Sequence, residues 1–249
     1  MKRVCLLGNS HIGAFLSATR DCEAQFPASD YAFDCFGSIR ASIQHVTFEG
    51  TQMTPTRGDV EKSFETTSGG KRVVELEAYD TVIIALRNTP FWIRPYLAEK
   101  RFVPLSRAVV QEIYDGFLDD WSVNFARNVA SAVPDTPVVF LGRPLNSEQD
   151  HLARSVLGQL NGTASDGARA LKDALLERIE DVVLRTVVAD NLRFLRPPAE
   201  LLEPHGLFTK SEYSRGAVKF RQAMKAASAA DDTQHMNGEY GLKMLKYIL

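Results

Sequence analysis

Short apolar runs set between longer amphipathic stretches constrain this chain more than any other feature. They fall at residues 3–7, 31–36, 81–86, 137–141 and 192–195. Of these, TVIIAL and PVVFL are continuous in hydrophobicity rather than alternating. A strand with one wet face must alternate, whereas a strand covered on both faces need not, so the runs predict parallel strands sandwiched by helices. Between them, helical periodicity marks residues 11–25, 106–132, 150–160, 166–188, 214–229 and 236–249. Strand alternating with helix implies β-α-β units and a three-layer α/β/α domain. About five parallel strands are expected, in a flavodoxin-like order, since the first strand begins almost at residue 1.

A chain of 249 residues can bury its core as a single α/β domain over 1–249. Two stretches interrupt the rhythm. Around residues 50–79, SFETTSGGKRVVELE carries two strand-like runs on either side of Ser68-Gly69-Gly70, which predicts an inserted β-hairpin. Residues 88–104 hold three prolines and four aromatics, which predicts a long ordered loop, either packed surface or pocket wall.

Charge and cysteine usage exclude several function classes. Lys and Arg number 29 against 31 Asp and Glu, a net charge of −2, so no basic field attracts nucleic acid. No apolar run reaches the ~20 residues that cross a membrane. The N-terminal apolar run stops at Gly8-Asn9-Ser10-His11, too early for a signal peptide. Three cysteines, Cys5, Cys22 and Cys35, make an odd number without C-x-x-C spacing, and a cytoplasmic protein is expected.

The turn after the first strand reads Gly8-Asn9-Ser10-His11-Ile12-Gly13. Sites in open α/β sheets form here, beyond strand ends and at helix N-termini. A P-loop is excluded, because Ala14-Phe15 stand where Lys-Ser/Thr are required. A dinucleotide turn has Ser10 in place of its middle glycine, with Asp34 as its ribose-binding acid. A third chemistry makes Ser10 a nucleophile, which needs a base for its proton and donors for the oxyanion. The structural alternative for Ser10 is an N-cap of the next helix.

Near the C-terminus, Asp232 and His235 are three residues apart. That spacing lets a carboxylate orient an imidazole and stabilise its charged form. The structural alternative is an acidic pair, Asp231-Asp232, at the start of the last helix. A metal site is disfavoured, since no second His or Cys lies at ligand spacing, and no cofactor is expected.

Together these elements resemble the SGNH/GDSL hydrolase family. Gly8-Asn9-Ser10 stands where the family has G-D-S. Gly37 follows the second strand, Asn88 follows TVIIAL, and Asp232-Thr233-Gln234-His235 matches the D-x-x-H near the C-terminus. The order holds over nearly the whole chain. The resemblance implies Ser10 as nucleophile, His235 as general base and acid, and Asp232 as its orienting partner. It also implies an oxyanion hole from the Ser10 amide, the Gly37 amide and the Asn88 side chain. Three departures mark a divergent branch. Asn9 replaces the usual Asp, and Leu86 stands where G-x-N has glycine. Phe36-Gly37-Ser38-Ile39-Arg40 lacks the fuller N-x-G-x-x-G pattern, so Ser38 or Arg40 is an alternative amide donor.

The expected substrate is a small acyl ester or acetylated sugar, with His11, Phe91 and Trp92 lining its pocket. Neither nucleic acid nor membrane is an expected partner. Two other functions remain open at this point. One is an acyltransferase with the same triad; the other is a non-catalytic nucleotide-binding domain that uses Gly8–Gly13.

Overall fold

The computed structural model describes residues 1–21, 30–86, 121–142, 144, 147, 190–204, 208–217 and 235–249. In chain order the strands are β1 (Lys2–Gly8), β2 (Tyr31–Gly37), β3 (Val46–Glu49), β4 (Gln52–Pro55), β5 (Val74–Glu75), β6 (Thr81–Ala85), β7 (Val138–Leu141) and β8 (Leu192–Leu195). The helices are α1 (Ile12–Asp21), α2 (Gly58–Ser68), α3 (Trp121–Ala132) and α4 (Gly238–Ile248). Five strands form one sheet in the order β2-β1-β6-β7-β8, every pair parallel. That is the expected flavodoxin-like order, with the first strand second from the edge.

Strand periodicity sorts the core into two faces. Cys5, Leu7, Val82, Ile84, Val138 and Phe140 pack with Val60 and Phe64 of α2 and with Val123, Ala126 and Val129 of α3. Val4, Leu6, Ile83, Val139 and Leu141 pack with Ile12, Phe15 and Leu16 of α1 and with Tyr240, Met244 and Leu245 of α4. Both faces are therefore dry, as the unbroken apolar runs require.

The hairpin expected around Ser68-Gly69-Gly70 does not form; the insertion instead turns a hairpin earlier in the chain. Antiparallel β3 and β4 pair Glu49 with Gln52 across Gly50-Thr51, and Gly50 adopts the positive φ of 59° that such a turn needs. The SFETTS run, read as strand from its sequence, is the end of α2. Val60, Phe64 and Thr67 recur at helical spacing and are buried, and that period overrides the local β-propensity. Gly69, at φ 77°, closes the helix in the left-handed conformation instead of turning a hairpin. The second strand-like run shortens to β5, which pairs with β4.

Elsewhere the expected helices start or end differently. The first ends its described portion at Asp21, and the last begins at Gly238. Residues 214–216 are turn, with Gly216 at φ 68°, so no helix begins at 214. Residues 106–120, 150–160 and 166–188 lie outside the described residues.

Helix α4 lies very close to α1. A Cβ added at Gly241 would fall 2.2 Å from the Ala14 carbonyl oxygen, and one at Gly238 would fall 3.1 Å from Ser17 Cβ. On the other side of the sheet, Asp34 in β2 ties the insertion down. It pairs with Lys71, accepts from the Tyr79 hydroxyl at 2.9 Å, and has Arg3 at 3.6 Å.

Two predictions follow from this packing. Gly241→Ala should lower the urea midpoint by the equivalent of about 1–3 kcal/mol, because the added methyl meets backbone that cannot step aside. Burial pushes the Cys35 thiol from an ordinary 9.0 up to about 12. The unfolded thiol loses its proton first, so this contribution is complete below pH 9 and is lost as pH rises towards 12. Unfolding measured across that window should show a shallower loss in Cys35→Ala than in the unaltered chain.

Candidate active site

The first turn is built from Gly8 upward. Gly8 pairs with Gly37 on one side and Ala85 on the other. A Cβ there would sit 2.5 Å from the Ala85 carbonyl oxygen, so only glycine lets β1 end flush between its neighbours. Asn9 follows, 3% exposed, and its backbone N–H donates to Ala85 O at 3.3 Å. Its side-chain Oδ1 accepts from the His11 N–H at 3.2 Å, and its carbonyl accepts from Ile12 N–H at 3.0 Å. Asn9 therefore does the capping work at the start of α1. It does so without the charge of an aspartate.

Ser10 is thereby spared. Its carbonyl accepts from Gly13 N–H at 3.3 Å, but among the described residues neither its hydroxyl nor its N–H makes a hydrogen bond. The reading of Ser10 as an N-cap fails, because its neighbour holds that role. A partly exposed serine is left at a strand-to-helix turn.

The C-terminal element reaches the same turn. The rings of His11 and His235 stack, with centroids 5.5 Å apart and planes at 27°. His11 is 8% exposed, so it forms a buried wall of the turn. Among the described residues no hydrogen bond joins Ser10 Oγ to His235. Asn237 caps α4, its Oδ1 accepting from the Tyr240 N–H at 3.1 Å. Its Nδ2 donates to the carbonyls of Glu212 and Arg215. The last helix thus takes its cap from Asn237; the acidic pair Asp231-Asp232 lies outside the described residues. So do Asn88, Phe91 and Trp92.

Gly37 does not offer its amide to the site. That N–H donates to Thr67 Oγ1 at 3.0 Å, and Thr67 in turn donates to Ser63 O at 2.9 Å. Ser38 N–H is committed to Gly8 O at 3.0 Å, which continues the β1–β2 ladder. Of the three amides considered in this loop, only that of Arg40 is unengaged among the described residues. Arg40 also adopts a positive φ of 54°, a conformation that a side chain rarely takes. Sequence spacing gave no sign of Thr67, which comes from the inserted helix 30 residues away.

The dinucleotide alternative loses its acid. Asp34 sits mid-strand opposite Cys5, already held by Lys71 and Tyr79, and not at the strand end where a ribose would lie. The two described cysteines, Cys5 and Cys35, are poor nucleophiles, since burial raises both thiols. Among the described residues no three His, Cys, Asp or Glu side chains are grouped to hold a metal ion. No described helix is long and apolar enough to cross a membrane.

No family model matches the chain, and no curated protein matches it. Among solved structures, it is similar to the lipase Lip_vut3 from a goat rumen metagenome, at 10% identity and a TM-score of 0.46, over 99% of this chain and 97% of that one. A family two carbohydrate esterase from Clostridium thermocellum gives 11% identity and a TM-score of 0.45, over 99% of this chain but 62% of that one. The periplasmic domain of a lipopolysaccharide acetyltransferase from Salmonella Paratyphi A gives 11% and 0.44, over 100% and 84%. The fold itself rests on the sheet order of this chain.

The Thr67 contact is testable. Thr67→Val removes the acceptor from the buried Gly37 N–H and should cost about 1–3 kcal/mol in urea unfolding, whereas Thr67→Ser should cost well under half of that.

Proposed function

We propose that this chain is a divergent SGNH-type serine hydrolase that cleaves short-chain acyl or O-acetyl esters, acetylated carbohydrate among them. One observation carries the reading: His235 is packed against the residue that follows Ser10, although 225 positions separate it from that serine in sequence. The hydroxyl and N–H of Ser10 are left unengaged because Asn9 caps the helix.

In this reading His235 takes the Ser10 proton as Oγ attacks the ester carbonyl. Asp232 holds the imidazole by its other ring nitrogen and stabilises the positive charge that develops. The tetrahedral oxyanion is met by the Ser10 N–H and the Asn88 side chain. The Arg40 N–H takes the place first assigned to Gly37. His235 then gives its proton to the departing alkoxide, which leaves an acyl-serine. Water, deprotonated by the same imidazole, releases the acid and restores Ser10. Contacts between nucleophile and base commonly tighten only when substrate is bound, which fits a His235 that stacks on the neighbour of Ser10 without a hydrogen bond to the serine. Phe91 and Trp92 are assigned to the outer wall of the substrate pocket.

The test is labelling with a fluorophosphonate probe. The unaltered chain should label on Ser10; Ser10→Ala and His235→Gln should not, and ester turnover should fall by roughly 10³-fold or more in both. Labelling that persists in Ser10→Ala would overturn the assignment, as would a folded, unaltered chain that never labels.

A further inference from the structure

Beside the first turn lies a small cavity of about 10 Å³, at the C-terminal ends of β6 and β7. Its walls include His11, Phe15, Leu86, Leu141, Tyr240 and Met244. The space suits one water-sized group and nothing longer. Most of the wall is apolar and almost fully buried, with Leu86, Tyr240 and Met244 each 1% exposed.

Tyr240 is the exception in polarity. Its hydroxyl is buried, and among the described residues it has no hydrogen-bond partner. Burial raises its pKa far above the ordinary phenol value, so it remains a neutral O–H. The ring is fixed edge-on against Tyr213, with centroids 6.1 Å apart. The next residue, Gly241, is the point where α4 meets the backbone of α1. Helix α4 has no room to move closer to α1.

We infer that this cavity is the acyl subsite of the reaction above, that it admits a two-carbon acyl group, and that Tyr240 and Met244 set its depth. The inference rests on the serine-hydrolase reading. When the acyl carbon is bonded to Ser10 Oγ, its carbonyl oxygen is turned to the N–H donors and its alkyl part must point elsewhere. His11 joins the two places, since it follows Ser10, stacks on His235 and forms one wall of the cavity. A methyl fills a space of this size. Each further methylene must displace Tyr240 or Met244, both on α4, and so disturb the packing of α4.

The experiment measures kcat/KM on p-nitrophenyl acetate, propionate, butyrate and hexanoate. For the unaltered protein, acetate should exceed butyrate by tenfold or more, the scale set by one or two misplaced methylenes. Tyr240→Phe removes a single oxygen and should raise propionate relative to acetate several-fold. Met244→Val and Tyr240→Ala should raise butyrate relative to acetate tenfold or more. The ratio between chain lengths is the readout, because a merely structural role would lower all esters alike. Tyr240→Ala risks unfolding, and the Phe and Val variants decide the matter without it. Labelling on Ser10 with a flat chain-length profile, or variants that leave the ratios unchanged, would overturn the subsite alone. A protein that neither labels nor turns over any ester would overturn both readings.

Discussion

The contact on which the site depends is the crossing of α4 over α1. At Gly241 the two helices approach so closely that one added carbon would overlap the Ala14 carbonyl. Helices normally pack 8–10 Å apart, at a distance set by the side chains between them, and removing the side chain at the crossing lets the backbones meet. The segment ahead of α4 is therefore carried to the start of α1. That is how His235 comes to stack on His11. Asn237 fixes the join from below by holding the carbonyls of Glu212 and Arg215 while it caps the helix.

The first turn solves a related problem in a few residues. Gly8 lets three strands end side by side, and the chain must then start a helix at once. The orphan amides of that helix need an acceptor. Had Ser10 supplied it, its hydroxyl would have been spent on structure. Asn9 supplies it instead, with a neutral amide oxygen. The Asp that the SGNH/GDSL resemblance leads one to expect at this position would make the same contact with a charge. The substitution keeps the hydrogen bond and removes a negative charge from beside the serine.

Much of the fold was legible because burial on both faces leaves an unmistakable pattern: runs such as TVIIAL have no wet side to encode. The insertion was harder. SFETTS carries the residues of a strand, yet its buried positions, Val60, Phe64 and Thr67, follow a helical period that starts before the segment that drew attention. The Ser68-Gly69-Gly70 sequence suits either a hairpin or a helix end, and only the preceding periodicity decides. Around the first turn, local motifs singled out Ser10 and His235, and the stacking of His235 on His11 brings their neighbourhoods together, whereas the fate of the Gly37 amide was not legible. Its acceptor comes from another element, and no spacing rule links strand end to inserted helix.

The bond from Gly37 to Thr67 changes what the insertion is. A three-stranded sheet and a helix placed between two strands of a larger sheet look like an ornament on a common frame. Yet this ornament holds β2 by its last residue, while Lys71 and Tyr79 grip the same strand at Asp34. It acts as a strut, and the frame has come to lean on it. A relative that lost the insertion would need a new acceptor for that amide, and one that keeps it should keep a hydroxyl side chain at position 67.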